Sequence, residues 1–157
     1  MKTQGGSIKW NGDKFMLLAI DEAEKAITKA AIYTQGVAKK MVGGTGSGKL
    51  YKRKSVTHQA SISGQPPARD AGILTSSISY TVKRKLDRIK AFVGSDVDFI
   101  EEELSKKKNR TASTTDVDYG YYLEKGTKHM AARPWLKPSL IKARPKILQI
   151  LQKAFGK

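Results

Sequence analysis

Apolar positions recur at helical spacing between Asp13 and Met41. Met16, Ile20, Ala23, Ile27, Ala30, Thr34, Val37 and Met41 lie three or four residues apart, which places them on one face of a helix. Asn11 or Asp13 is suited to cap its start. Asp21, Glu22 and Glu24 come early and Lys39 and Lys40 late, the order that the helix dipole favours. Gly43-Gly44 marks its end. A second helical pattern begins at Leu136, with Pro138 fitted to a first turn. Its stripe reads Leu140, Arg144, Ile147, Leu148, Leu151 and Phe155. Pro145 falls inside that pattern, so a kink or break is expected there.

Between the two helices the pattern changes to period two. Ile78, Tyr80 and Val82 alternate with Ser79, Thr81 and Lys83, and Ile89, Ala91 and Val93 alternate with Lys90 and Phe92. Residues 73–95 therefore predict a β-hairpin, with strands at about 77–84 and 88–94 and a turn at Lys85-Leu86-Asp87. Residues 43–72 are rich in Gly, Ser, Pro and Lys and read as one long irregular stretch. Residues 101–118 are polar and read as a solvated excursion. Tyr119–Glu124 is aromatic-rich and fits a short helix or a strand; six residues do not decide between them. The order helix, strands, helix predicts an α+β fold. A long N-terminal helix and a C-terminal helix should pack on a small, mostly antiparallel sheet with long polar loops. The domain organisation expected is a flexible segment 1–12 and a single domain 13–157, with extended loops at about 43–72 and 99–116.

Composition changes this picture in one respect. The 157 residues, 39% apolar and 28% charged, are ordinary for one soluble domain. The charge is not: 30 Lys+Arg against 14 Asp+Glu give a net +16. Such a chain attracts polyanions, at least non-specifically and at low salt. The cations cluster as Lys49, Lys52, Arg53 and Lys54; as Lys83, Arg84, Lys85, Arg88 and Lys90; and as Lys106, Lys107, Lys108 and Arg110. Tyr51 and Tyr80 lie near enough in sequence to add stacking. No sequence-reading nucleic-acid motif accompanies them, so non-specific DNA contact is the reading.

Several chemistries are disfavoured. With no cysteine, disulfides and thiolate metal sites are excluded. His58 and His129 are the only histidines and have no metal-site spacing. Asp96/Asp98 and Asp116/Asp118 alternate within a solvated segment rather than forming an acid–base pair. No apolar run is long enough to span a membrane, and the start Met1-Lys2-Thr3-Gln4-Gly5-Gly6 has no secretory apolar core. Gly43-Gly44-Thr45-Gly46-Ser47-Gly48-Lys49-Leu50 nearly spells a phosphate-binding loop. Leu50 stands where the Mg²⁺-binding hydroxyl belongs, and the stretch follows an amphipathic helix rather than a buried strand. The expectation is a basic linker, no nucleotide hydrolysis, no cofactor and no enzyme.

Two segments carry more than composition. The first runs from Gly48-Lys49-Leu50-Tyr51 through His58-Gln59-Ala60-Ser61 to Ser63-Gly64-Gln65-Pro66-Pro67-Ala68-Arg69-Asp70-Ala71-Gly72-Ile73-Leu74 and Ser77-Ile78. The second is Tyr119-Gly120-Tyr121-Tyr122-Leu123-Glu124-Lys125-Gly126-Thr127, then Met130, Ala132-Arg133-Pro134-Trp135-Leu136 and Pro138. In this order they resemble the tail-completion and head–tail joining family of long-tailed bacteriophages, the group that includes minor tail protein Z-like proteins. In that family a PGEPP…DTGRL..SI segment precedes a Y..YLE.GT…ARPFL.PA segment. The resemblance covers about residues 13–155. Ser63, Gln65, Ala71 and Ile73 depart from the usual Pro, Glu, Thr and Arg.

The resemblance implies a structural virion protein at the head–tail junction, made in the host cytoplasm and assembled as a ring, six-fold or twelve-fold, that lines part of the DNA passage. Head-completion, connector and tail-tube or tail-terminator proteins would be its neighbours. The alternative is a basic DNA-binding or packaging accessory protein. The implied structural motif is Gly64, Pro66, Pro67, Gly72, Leu74, Tyr122, Glu124, Gly126, Thr127, Arg133, Pro134, Trp135, Leu136 and Pro138. Candidate polyanion or partner contacts are Lys49, Lys52, Arg53, Lys54, Arg84, Lys85 and Arg88. Physical reasons stand beside the resemblance. Gly126-Thr127 suits a turn that needs a permissive backbone, Arg133 before Pro134 is biased to be extended, and Trp135 and Leu136 can plug the core where the last helix starts. Residues 43–64 and 99–116 are expected to be mobile in a free subunit and ordered in the ring.

Overall fold

The computed structural model describes residues 11–53, 56–70, 72–85, 88–95 and 117–156. Helix α1 spans Gly12–Met41, followed by strands β1, Leu50–Arg53, and β2, Val56–Gln59. A one-turn helix α2, Ile73–Ser77, leads directly into strand β3, Ile78–Lys85, which is followed by β4, Arg88–Ser95. Helix α3 covers Val117–Lys125 and helix α4 covers Leu136–Phe155. The fold is α+β, as the element order predicts. The sheet is two separate antiparallel pairs, β1–β2 and β3–β4.

The β3–β4 pairing runs in unbroken register from Ile78↔Ser95 to Lys85↔Arg88. Lys85 is thus the last residue of a strand rather than part of the turn, and Leu86 and Asp87 lie outside the described residues. β1–β2 corrects the reading of 43–72 as wholly irregular: Leu50 pairs with Gln59, and Tyr51 with His58. Four-residue strands with only one apolar residue or two each carry little period-two signal, so pairing rather than pattern defines them. Residues 73–77 were expected within the hairpin and instead form α2. Gly72 precedes it with φ 84°, a left-handed conformation that turns the chain sharply into that helical turn.

Helix α1 begins where its pattern predicts, but Asn11 at the N-cap makes no side-chain capping bond. Its buried row is not the expected stripe. Ala26, Ala30, Thr34, Ala38 and Val42 are buried with Ala31, a line of steps of four that coincides with the predicted face only at Ala30 and Thr34. Met16 is exposed. The most extensive contact between helices is α1 against α4, and α4 buries Ser139 and Ala143 there. The residues that α1 and α4 bury fully are small, while Ile27, Val37, Ile147 and Leu151 of the expected stripes are half-buried. Leu140, Arg144, Leu148 and Phe155, expected to face inward, are exposed. Pro145 does not break α4, which is continuous from Leu136 to Phe155.

The Ser139 hydroxyl oxygen lies 3.4 Å from Met41 Sδ, so the start of α4 meets the end of α1 and the two run antiparallel. The β3–β4 pair packs on α1 as well. Gln35 Nε2 donates to the Ile78 carbonyl at 2.9 Å, and Arg84 reaches Asp21 at 2.8 Å and Glu24 at 3.3 Å. The core lies at the C-terminal end of α1, where Ala38 and Val42 meet Leu74, Ile78, Leu123 and Trp135, with Met130 and Leu136 packed around them.

Candidate functional site

The two motif segments close on each other to build one joint. Tyr119–Glu124, open to either reading in the sequence, is helical and lies within α3. Leu123 points into the core and Gly120 abuts β4: a Cβ at Gly120 would lie 2.5 Å from Ser95 Oγ. The helix ends at Gly126, whose N–H donates to the Tyr122 carbonyl at 2.7 Å. Gly126 has φ 78°, and a Cβ there would come within 2.8 Å of the Ala132 nitrogen and 2.9 Å of the Met130 carbonyl oxygen. Both conformation and space demand glycine.

Beyond it the chain makes a narrow turn, with Thr127 N–H donating to Met130 O at 2.8 Å and Met130 N–H returning to Thr127 O at 3.3 Å. The Thr127 hydroxyl oxygen accepts from the His129 N–H at 3.2 Å. Arg133 then donates its N–H to Leu123 O at 2.7 Å. Ala132 O accepts from Gly64 N–H at 3.0 Å, and this bond ties the Pro66-Pro67 loop to the turn. Pro67 is buried in that loop and Pro66 half-buried.

Glu124 has a role that the sequence pattern does not disclose. Its carboxylate accepts from the backbone N–H groups of Trp135 at 2.6 Å, Leu136 at 2.8 Å and Lys137 at 3.0 Å. Those groups stand at the start of α4, where N–H groups have no intrahelical partner and the dipole is positive. A carboxylate eleven residues upstream therefore does the work that a local Ser or Asp cap usually does. Trp135 occupies the N-cap position without a capping side chain. Its indole is 1% exposed and donates Nε1–H to the Gly120 carbonyl at 3.1 Å. Pro138 falls in the first turn of α4, where its missing N–H costs nothing. Leu74, in the other segment, is a core residue against Trp135 and Leu123. Tyr122 and Thr127 are exposed, whereas Arg133, Pro134, Leu136 and Pro138 are half-buried. Among the described residues, Arg133 Nε and Ser61 Oγ are buried without a hydrogen-bond partner.

The basic candidates separate. Arg84 is paired within the chain: its guanidinium donates to Asp21 and Glu24 of α1 and links the hairpin to that helix. Those two hydrogen bonds, to Asp21 first, raise its pKa further. Lys49, Lys52, Lys85 and Arg88 are exposed, and Lys49 Nζ sits 5.7 Å from the centre of the Tyr51 ring. Arg53 lies in β1; Lys54 and the cluster Lys106–Arg110 lie outside the described residues, as do Asp96, Asp98 and Asp116 and the segment 99–116.

The Gly43–Leu50 stretch leaves a helix and enters a strand, the reverse of a phosphate-binding loop. Gly48 N–H is used by the Ala60 carbonyl at 2.7 Å, and Gly46 lies flush against the end of β2, where a Cβ would come 2.0 Å from Gln59 O. His58 Nδ1 is 3.8 Å from Asp70 Oδ1. Among the described residues no group of three or more His, Cys, Asp or Glu is placed to hold a metal ion, and no helix is long and apolar enough to cross a membrane.

What the pattern did not reveal is how much apolar surface the long helices display. Phe15, Met16, Leu17 and Leu18 are 73%, 62%, 56% and 58% exposed. Ile32, Tyr33, Leu140, Ile141, Leu148 and Phe155 are exposed as well. A helix of 30 residues is about 45 Å long and one of 20 about 30 Å. Since α4 starts beside Met41 and runs back along α1, the first turns of α1 project past its end. The signal was present as four consecutive apolar residues, which no single helix face can bury.

Comparison with protein-family models, curated proteins and solved structures finds no match to this chain.

Proposed function

We propose that the chain is a non-enzymatic structural subunit of a long-tailed bacteriophage, one copy of a ring at the head–tail junction that completes the tail and joins it to the head. The observation that carries this reading is the apolar surface of the two long helices. Large side chains stand exposed on α1 and α4, while the side chains fully buried on those helices are small. Apolar groups displayed in this way are covered by a partner in a working assembly, and a ring subunit must offer two different complementary surfaces. The residues shared with the joining family support it further, because they are among those that build the joint: Gly64, Leu74, Glu124 and Gly126. The ring is six-fold or twelve-fold, placed in the virion between head-completion or connector proteins and the tail tube or tail terminator.

Purified chain tests this directly. It should form discrete rings or bind purified tails at a salt concentration that abolishes DNA binding, as seen by light scattering and negative-stain microscopy. A basic DNA-binding or packaging accessory protein, the second reading favoured by the net +16, would instead lose all association as salt rises. A chain that is monomeric at every salt concentration and inert towards tails refutes the joining role.

A further inference from the structure

The cation clusters of the sequence fare differently in the fold. On the β3–β4 hairpin, Arg84 is held by Asp21 and Glu24 of α1, and Lys83 and Arg88 have interactions of their own. Around β1–β2 no acid is at hand. Residues 43–69 contain Lys49, Lys52, Arg53, Lys54 and Arg69 but no Asp or Glu. Among the described residues, Lys49 and Lys52 have no acidic partner. Asp70, the first carboxylate after this stretch, stands 3.8 Å from His58 Nδ1. Lys49 Nζ lies 5.7 Å from the centre of the Tyr51 ring, a contact that leaves its charge intact. The two strands also stand apart: they pair with each other and touch the other helices and strands only slightly. Leu50, Tyr51, Lys52, Thr57 and Gln59 are exposed, and His58 is half-buried. The ladder continues beneath them, with Gly48 N–H donating to Ala60 O at 2.7 Å and Ala60 N–H to Lys49 O at 3.0 Å. The ribbon therefore runs about 17 Å from Gly48 to Arg53. Its base is fixed, because Arg69 N–H donates to Gly44 O at 2.9 Å.

We infer that the β1–β2 ribbon is an arm that seats in the major groove of double-stranded DNA, with its lysines against the phosphates. The shapes agree. A β-ribbon is about 10 Å thick with its side chains, and the major groove is about 12 Å wide and about 8.5 Å deep and admits a two-stranded ribbon. Alternation along the strand puts Lys49 and Tyr51 on one face and Lys52 on the other. Cations on both faces suit a groove, which has a phosphate backbone along either wall. Lysines with flexible stems contact phosphates as point charges and read no bases, so the arm holds DNA of any sequence. The inference rests on the joining role only for where that DNA comes from; the arm itself needs no ring.

The affinity of the full-length protein for a random-sequence DNA duplex, followed as salt is raised, tests the arm. Each neutralised phosphate contributes about 0.9 to the slope of log affinity against log salt. Lys49→Gln/Lys52→Gln should therefore lower that slope by about 1.8. Lys49→Arg/Lys52→Arg should keep it, and Lys142→Gln/Lys146→Gln on α4, an equal loss of charge, should leave it unchanged. All three variants should melt with the wild type, since all four lysines are exposed. Duplex RNA of the same length has a major groove too deep and narrow for side chains to enter. The wild type should bind it more weakly than DNA, and that preference should shrink in Lys49→Gln/Lys52→Gln. An unchanged slope, or an equal fall in the α4 control, would overturn the site, and equal wild-type affinity for the two duplexes would overturn the groove. So would a Gln variant that keeps the DNA slope but loses binding to poly-glutamate, since the arm would then belong to an acidic protein partner. Ring formation at high salt, measured on the same variants, reports separately on the joining role.

Discussion

At the joint between α3 and α4 Leu123 and Trp135 face inward and the backbone N–H groups at the start of α4 find a carboxylate partner. Trp135 and Leu123 are each 1% exposed, and Glu124 accepts three backbone N–H groups. Along α1 and α4 the arrangement is inverted: alanine, serine and threonine are buried, while Phe15, Leu18, Ile141, Leu148 and Phe155 are exposed. A region that is complete alone keeps its apolar area for itself. A region that awaits a partner displays it. On the proposed joining role, the contrast separates the part of the chain that makes it fold from the part that would be covered in the ring.

The contrast can be broken most forcefully at Trp135. Trp135→Ala leaves a cavity in the small core and loses the indole bond to the Gly120 carbonyl, and should cost about 3–5 kcal/mol in denaturant unfolding. An unchanged unfolding midpoint would make the indole a partner contact and erase the distinction between the two regions. Gly126→Ala comes next. It forces a Cβ into left-handed backbone beside the Ala132 nitrogen and should cost about 1–3 kcal/mol. The wild-type melting temperature in that variant would mean that the turn relaxes freely.

Glu124→Ala removes the cap of α4. Losses from N-cap substitutions are about 0.5–2 kcal/mol, and hydrogen exchange should locate the loss in the first turn of α4. Uniform protection across α4 in the variant would count against the capping role. The opposite region should respond in the opposite way. Phe15→Asp with Leu18→Asp should shift the stability of the isolated subunit by no more than about 0.5 kcal/mol each, yet leave it monomeric in light scattering. Retained assembly would remove this end of α1 from the interface. The smallest effect belongs to Arg84→Gln, which loses an exposed pair with Asp21 and Glu24 that salt screens. Its melting curve should superimpose on wild type at high salt and fall slightly below it at low salt.

The amino-acid pattern by itself determined the long first and last helices, the β3–β4 hairpin between them to within a residue or two, and the α+β class. These follow from local periodicity, which every residue in an element reinforces. It also singled out Gly126, Glu124, Trp135 and Leu74 through the motif segments, without the reason they belong together. Only the tertiary structure decided which helical face is buried. Two stripes were available on α1, and full burial falls on Ala26, Ala30, Thr34 and Ala38 rather than on the larger side chains of the expected one. The β1–β2 pair, the capping of α4 by a carboxylate eleven residues away, and the loss of Arg84 to α1 were likewise outside the reach of the pattern. Each depends on groups distant in sequence meeting in space, and periodicity records only what a residue's near neighbours are.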